Sequence, residues 1–192
     1  KKQKKQKKRL RTAILLLALV ALLLAAARWG VPYAVSLFAQ DKLDRGLAAD
    51  AKKLYALIDR YWPEEFGAKA GMDAAEQKII DGLMNVGTDA AYEQAALRAA
   101  AIGDTAREEK AVIARAELAA ANGDTGAAEA LLAPLEDNEE AQSALHRLIY
   151  DVAKAAKEKL DYPTAIARFD SLGDYEDAAA QKTDSIDLYG RQ

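Results

Sequence analysis

The sequence predicts an all-α fold: an N-terminal transmembrane helix followed by an α-solenoid of stacked helical pairs. Three observations predict it. A basic run, Lys1 to Arg11, ends abruptly at sixteen uncharged and mostly apolar residues, Thr12 to Ala27. Beyond residue 40, apolar side chains recur at spacings of three and four and nowhere alternate as in a strand. From residue 87 the turn signals become regular, with spacings of 33 and 37 residues that suit stacked helical pairs.

The formal charge of −3 hides a division. Residues 1–11 carry eight Lys and Arg, which leaves −11 for residues 12–192. Lys and Arg beside an apolar helix are retained on the cytoplasmic side, so the start is expected inside and the rest extracytoplasmic. A basic cluster at this place gains about 1 kcal/mol per charge near an anionic leaflet, and Lys1–Arg11 is read as facing anionic lipid headgroups. A topology signal alone accounts for the same charge. The acidic remainder repels nucleic acid, and no base-reading fold is present, so no nucleic-acid partner is expected.

Cysteine is absent, which excludes disulfides, thiolate catalysis, Fe–S clusters and cysteine zinc sites within these residues. About 150 residues follow the membrane-directed part, enough for one domain with a buried core. The chain begins at Lys rather than Met, from which we expect a further portion before Lys1, and continuation beyond Gln192 is equally open.

Segment 12–40 is read as the transmembrane or signal-anchor helix. Thr12 to Ala27 makes roughly 24 Å of helix, short of the roughly 30 Å hydrocarbon core. After Arg28, however, residues 29–40 continue without charge. Arg28 can snorkel, and Trp29 and Tyr33 suit the outer interfacial belt. A second fate stays open, because Ala25-Ala26-Ala27 matches a signal-peptidase site behind a basic leader. The length of the apolar run favours the uncleaved anchor.

Residues 41–86 are read as linking amphipathic helices. Leu43, Leu47, Ala51, Leu54, Ile58 and Tyr61 predict one helix over 41–62, weakened at Gly46. Pro63 fits the first turn of a short following helix, with Glu64 and Glu65 at its positive end. Gly67 and Gly71 are expected to break the chain before a helix through Met72, Ala75, Ile79, Ile80 and Leu83 that closes at Gly87.

Residues 87–192 are read as the repeats. Their turns share one chemistry, at Gly103-Asp104, Gly123-Asp124, Asp137-Asn138, Leu160-Asp161 and Gly173-Asp174. A Gly or short polar residue ends one helix in a left-handed turn, and Asp or Thr accepts from the free N–H groups of the next.

Asp161-Tyr162-Pro163-Thr164-Ala165-Ile166-Ala167-Arg168-Phe169 resembles the second helix of a tetratricopeptide repeat, with Tyr162, Ala165 and Phe169 at matching positions and Leu160 in place of the usual Gly. Counting back, Ile149, Val152, Ala153 and Ala156 take the large-apolar, Leu, Gly and Tyr positions of that family's first helix. Gly123, Asp124, Ala128 and Leu132 repeat the pattern more weakly, and residues 41–86 match it poorly. The resemblance covers about half the chain. Leu172-Gly173-Asp174-Tyr175-Glu176-Asp177-Ala178 is also similar to a motif of bacterial membrane-anchored proteins built as basic stretch, single helix and degenerate helical repeats.

The resemblance implies repeat packing by Ala128, Leu132, Ile149, Val152, Tyr162, Ala165 and Phe169, with alanines where helices approach closely. It implies a membrane-anchored scaffold of the bacterial cell envelope that binds a protein or peptide partner. Two alternatives remain: a non-catalytic portion of a larger enzyme or sensor, and a secreted binding protein released at Ala27.

Candidates for chemistry are few. His146 is the only histidine and cannot by itself build a zinc site. Glu136-Asp137-Asn138-Glu139-Glu140 lacks the spacing and the Gly of a calcium loop, and helix-start electrostatics account for it. Tyr55, Tyr61, Trp62 and Phe66 form an aromatic group, read as core packing or as an anchor for a partner. Neither catalysis, cofactor nor metal is expected.

Overall fold

The computed structural model describes residues 2–191, with side chains from residue 11 onward. The basic flank read as facing lipid headgroups therefore lies outside the described side chains, apart from Arg11. Among the described residues the chain is all-helical, without strands. It divides into two units, residues 1–79 and residues 80–192.

In the first unit, α1 (Lys2–Ala25) passes through one π-helical turn (Ala26–Gly30) into α2 (Val31–Asp44). Proline explains the turn. Pro32 has no N–H, and its ring crowds the carbonyl four residues back, at Arg28. The backbone widens instead, and the Val31 N–H bonds to the Ala26 carbonyl, five residues earlier. The helical rod continues, so Arg11–Asp44 is one helix long and apolar enough to cross a membrane. Signal sequences near an N-terminus share these properties.

The expected single helix over 41–62 is corrected. α2 runs on to Asp44, Gly46 turns the chain at φ 78°, and α3 (Ala48–Tyr61) begins afresh. Ala39 and Leu43 of α2 meet Ala51, Tyr55 and Ile58 of α3 and Ala68 and Ala75 of α4 (Ala68–Met84) in one core. Polar ties accompany it. Lys78 Nζ donates to the Leu43 carbonyl at 2.9 Å, Tyr55 donates to Gln40 at 3.1 Å, and Lys52 pairs with the buried Glu76.

Two further expectations are corrected here. No short helix follows Pro63; residues 62–67 form a turn in which Glu64, Phe66 and Gly67 all have positive φ. Gly71 does not break the chain but lies within α4, where a Cβ would stand 2.4 Å from the Tyr55 ring. Its glycine serves close packing rather than a bend.

The second unit takes the end of α4 from Ile80 and adds α5 (Asp89–Ile102), α6 (Thr105–Ala121), α7 (Thr125–Leu132), α8 (Glu139–Glu158), α9 (Tyr162–Ser171) and α10 (Ala178–Gly190). From α5 onward each helix packs on the next, and α6 also meets α8. Three apolar clusters join them in order. Ile80, Ala95, Ala99 and Ala111 form the first; Ile113, Ala116, Ala128, Leu132 and Ala141 the second; Ala153, Ala156, Ala165, Phe169, Leu172 and Ala178 the third. α6 and α8 each serve two clusters.

The turns follow a two-residue formula. At Gly103-Asp104, Gly123-Asp124 and Leu160-Asp161 the first residue is left-handed, with φ of 71°, 84° and 65°. The Asp N–H then bonds back to the residue five positions earlier, Ala99, Ala119 or Ala156, at 2.9 Å, closing the old helix. The Asp carboxylate accepts from Arg107, Ala127 or Thr164 N–H and opens the new one. Thr88 and Asn138 cap α5 and α8 in the same way.

Gly173-Asp174 departs from this formula, and the expectation of a cap there is corrected. Gly173 is left-handed at φ 56°, yet α10 starts only at Ala178. A second left-handed residue, Glu176 at φ 47°, extends the turn and brings Tyr175 onto α8.

Candidate functional site

The second unit contains all of the acidic excess. Residues 12–79 carry eight basic and eight acidic side chains, whereas residues 80–192 carry eleven basic and 22 acidic ones. Most cations there are engaged by carboxylates of a neighbouring helix. Arg107 pairs with Asp81 at 2.9 Å and Asp104 at 2.8 Å, Arg115 with Asp89 at 2.7 Å, and Arg168 with Glu129 at 2.7 Å. Hydrogen bonding to Asp81 and then Asp104 raises the Arg107 guanidinium above its usual value.

Between α6, α7 and α8 lies a groove of about 340 Å³. Its floor is apolar: Ala116, Ala120, Leu132, Ala144 and Leu148. Glu117, Arg147 and Asp151 rim it, and Arg147 reaches Glu117 at 3.6 Å. Small floor residues leave room for a bulky apolar side chain, while the rim carries a net negative charge. This suits an apolar anchor on a basic segment.

A second cluster lies where α8 meets α9 and the Gly173 turn. The Tyr150 ring stands edge-on to Phe169 at 5.8 Å and to Tyr175 at 6.0 Å, with Lys154 5.5 Å from its centre. His146 is half-buried 5.5 Å from the Tyr175 ring, so an aromatic neighbour accounts for it. The Tyr150 hydroxyl donates to Asp177, which pushes the phenol up to about 12 and holds the Asp177 carboxyl below its usual range.

The proposed packing residues come together in two places. Ala128 is fully buried and Leu132 buried in the α6–α8 cluster. Ala165 and Phe169 lie in the α8–α10 cluster with Ile149 half-buried against it. Tyr162 is buried, 6.5 Å from the Tyr189 ring, and Val152 is half-buried on α8. Arg28, Trp29 and Tyr33 belong to the first unit, on the π turn and the start of α2, with both rings exposed.

The aromatic group of 55–66 divides. Tyr55 is buried, Trp62 and Phe66 are half-buried against the core, and Tyr61 is exposed. Glu139 and Glu140 fall in the first turn of α8, where the helix N-terminus favours them. Among the described residues no group of three or more His, Asp or Glu is placed to hold a metal ion. Sequence reasoning missed the role of Tyr150, whose partner Asp177 is 27 positions away, and the partner of Arg28, Glu65, 37 positions away. Only the isolation of Arg28 in an uncharged stretch signalled it. Set against protein-family models, curated proteins and solved structures, the chain matches none of them.

Proposed function

We propose that this chain is a membrane-anchored, tetratricopeptide-like interaction module of the bacterial cell envelope, which binds a protein or peptide outside the membrane. The observation that carries the reading is the serial packing of α5 to α10 through alanines, with one cap formula at successive turns. Polar ties between helices accompany it, among them Arg168–Glu129 over 39 residues. Asp81–Arg107 and Asp89–Arg115 are separated by 26 residues, Tyr150–Asp177 and Lys157–Asp184 by 27, and Glu109–Asn138 by 29. Serial packing tied in this way supports stacked repeats whose exposed grooves serve recognition.

Anchoring is supported by the unbroken helix through Asp44, whose last part is built into the core of the first unit. Orientation rests on the eight basic residues before Thr12. A reporter fused at Gln192 is expected to be accessible only from outside. Labelling solely from the cytoplasm overturns the localisation.

The partner is read as a basic segment with an apolar anchor, docking in the α6–α8 groove. A photo-crosslinking residue at Ala121, exposed on the groove, is expected to give one discrete adduct in cells. The same residue at Glu140, exposed on the α8 first turn, is expected to give none. Asp151→Lys, reversing a rim charge, is expected to abolish the Ala121 adduct. Identical adducts from both positions refute the groove assignment.

A further inference from the structure

Arg28 is the one charge within the uncharged stretch 12–40, and the structure gives it a partner. Its guanidinium engages both oxygens of Glu65 in a fork, with Nη1 to Oε2 at 2.6 Å. Glu65 belongs to the turn between α3 and α4. That turn is thereby pinned beside the helix at the level of Arg28, because a two-point contact fixes direction as well as distance.

Helix lengths give the same level independently. Thr12 to Ala27 supplies roughly 24 Å, and about four more residues complete the roughly 30 Å hydrocarbon core, near Gly30. From Arg28, α2 rises roughly 22 Å to Leu43. After the Gly46 turn, α3 packs along α2 and descends roughly 20 Å to Tyr61. The α3–α4 turn thus returns to within a few ångströms of the bilayer boundary.

We propose that residues 61–67 rest on the membrane–water interface as a second contact beside the anchoring helix. The partner is the phospholipid headgroup layer. Tyr61 joins Trp29 and Tyr33 there; these rings are 60 %, 60 % and 58 % exposed and have the amphipathic character of interfacial aromatics. The contact is continuous with the apolar helix itself. Charge permits it. Arg60, Glu64, Glu65 and Lys69 sum to zero, as do residues 12–79, while the excess of −11 that anionic lipid repels is confined to residues 80–192. Glu64 and Phe66 hold left-handed backbone, at φ 63° and 53°, so the turn keeps a costly, defined shape rather than a relaxed one.

This inference rests on the reading of helix 11–44 as membrane-crossing, and the test separates the two. The chain has two tryptophans, Trp29 and Trp62, and no cysteine. The full chain is reconstituted into phosphatidylcholine–phosphatidylglycerol vesicles whose acyl chains carry bromine at shallow or deep positions. Trp62→Phe leaves Trp29 as reporter, and Trp29→Phe leaves Trp62. Both are expected to be quenched, and at least twofold more by shallow than by deep bromine.

Quenching of Trp29 alone overturns the surface contact and leaves the anchor standing. Quenching of neither overturns both. Glu65→Gln in the Trp29→Phe background is expected to reduce shallow quenching of Trp62 at least twofold, and unchanged quenching overturns the role of the pin. Should either tryptophan variant fold poorly, a nitroxide on Tyr61→Cys, the sole cysteine and an exposed position, reports depth in its place. Relaxation by an aqueous nickel complex far exceeding that by oxygen then refutes the contact.

Discussion

Residues 12–79 and residues 80–192 use the same helix-forming vocabulary and solve different problems. The first set is electroneutral, and its core mixes alanines with Tyr55, Ile58 and half-buried Trp62 and Phe66. The second is strongly acidic, and its clusters are mostly alanine, with Ala95, Ala99, Ala116, Ala128, Ala141, Ala153 and Ala165 fully buried. Aromatic filling builds one core against the last turns of α2. Alanine contacts let helix follow helix, each meeting only close neighbours.

The comparison makes Phe169 an outlier: 1 % exposed, and the largest fully buried side chain described. If alanine contacts define the second unit while one ring fills its last cluster, Phe169→Ala should cost about 3–5 kcal/mol. Amide exchange should accelerate in α8 and α9 as that cluster opens. A loss under about 1 kcal/mol in denaturant titration would mean that small residues alone hold these helices.

Close approach offers a second way to break the contrast, since each unit has buried positions held by small residues. Gly71→Ala places a methyl against the Tyr55 ring, and Ala165→Leu adds three carbons at a fully buried contact. Each is expected to cost about 1–3 kcal/mol through overpacking. For Gly71 the sign is diagnostic. In an open helix the same change gains about 1 kcal/mol of propensity, so stabilisation would show that Tyr55 does not press on α4.

The regular half was the legible half. Gly103-Asp104 and Gly123-Asp124 announce helix boundaries because the chemistry that stops one helix and starts another sits in adjacent residues. The irregular turns gave no such notice. Gly71 and Gly46 are the same residue type, yet one sits in a helix against a ring and the other turns the chain, a distinction made by a partner distant in sequence. Asp174 looked like a cap, but left-handed Glu176 carries the turn three residues further, to Asp177. The polar pairs Arg28–Glu65 and Tyr150–Asp177 were illegible for the same reason: each joins elements whose proximity only the fold creates.

The third prediction tests the turn formula itself. Leu160 occupies the left-handed position that Gly103 and Gly123 fill elsewhere, at φ 65°, with its side chain largely exposed. A non-glycine residue there is strained by about 1–2 kcal/mol, part of which glycine returns as lost backbone freedom. Leu160→Gly should therefore stabilise by about 0.5–1 kcal/mol, and Gly103→Leu should destabilise by a similar amount. Loss of stability on Leu160→Gly would assign the leucine a packing role in place of strain.

The smallest effect expected is electrostatic, because Tyr150 and Asp177 form their bond in contact with water. The signs follow from linkage. Tyr150 is raised chiefly by donating to Asp177, so its contribution is complete below the free-phenol value of about 10 and disappears as pH climbs to about 12. Asp177 is lowered chiefly by accepting from Tyr150, so its contribution is complete above about 3.9 and is lost as pH falls through the depressed native value. The stability difference between the native chain and Tyr150→Phe should accordingly be flat from about pH 4 to pH 10 and shrink on either side. Asp177→Asn should return the Tyr150 ring carbons, followed by NMR, toward ordinary phenol titration. Were Tyr150 to titrate normally in the native chain, the Gly173 turn would not be fastened to α8 through this bond, and ring packing against Tyr175 alone would hold it there.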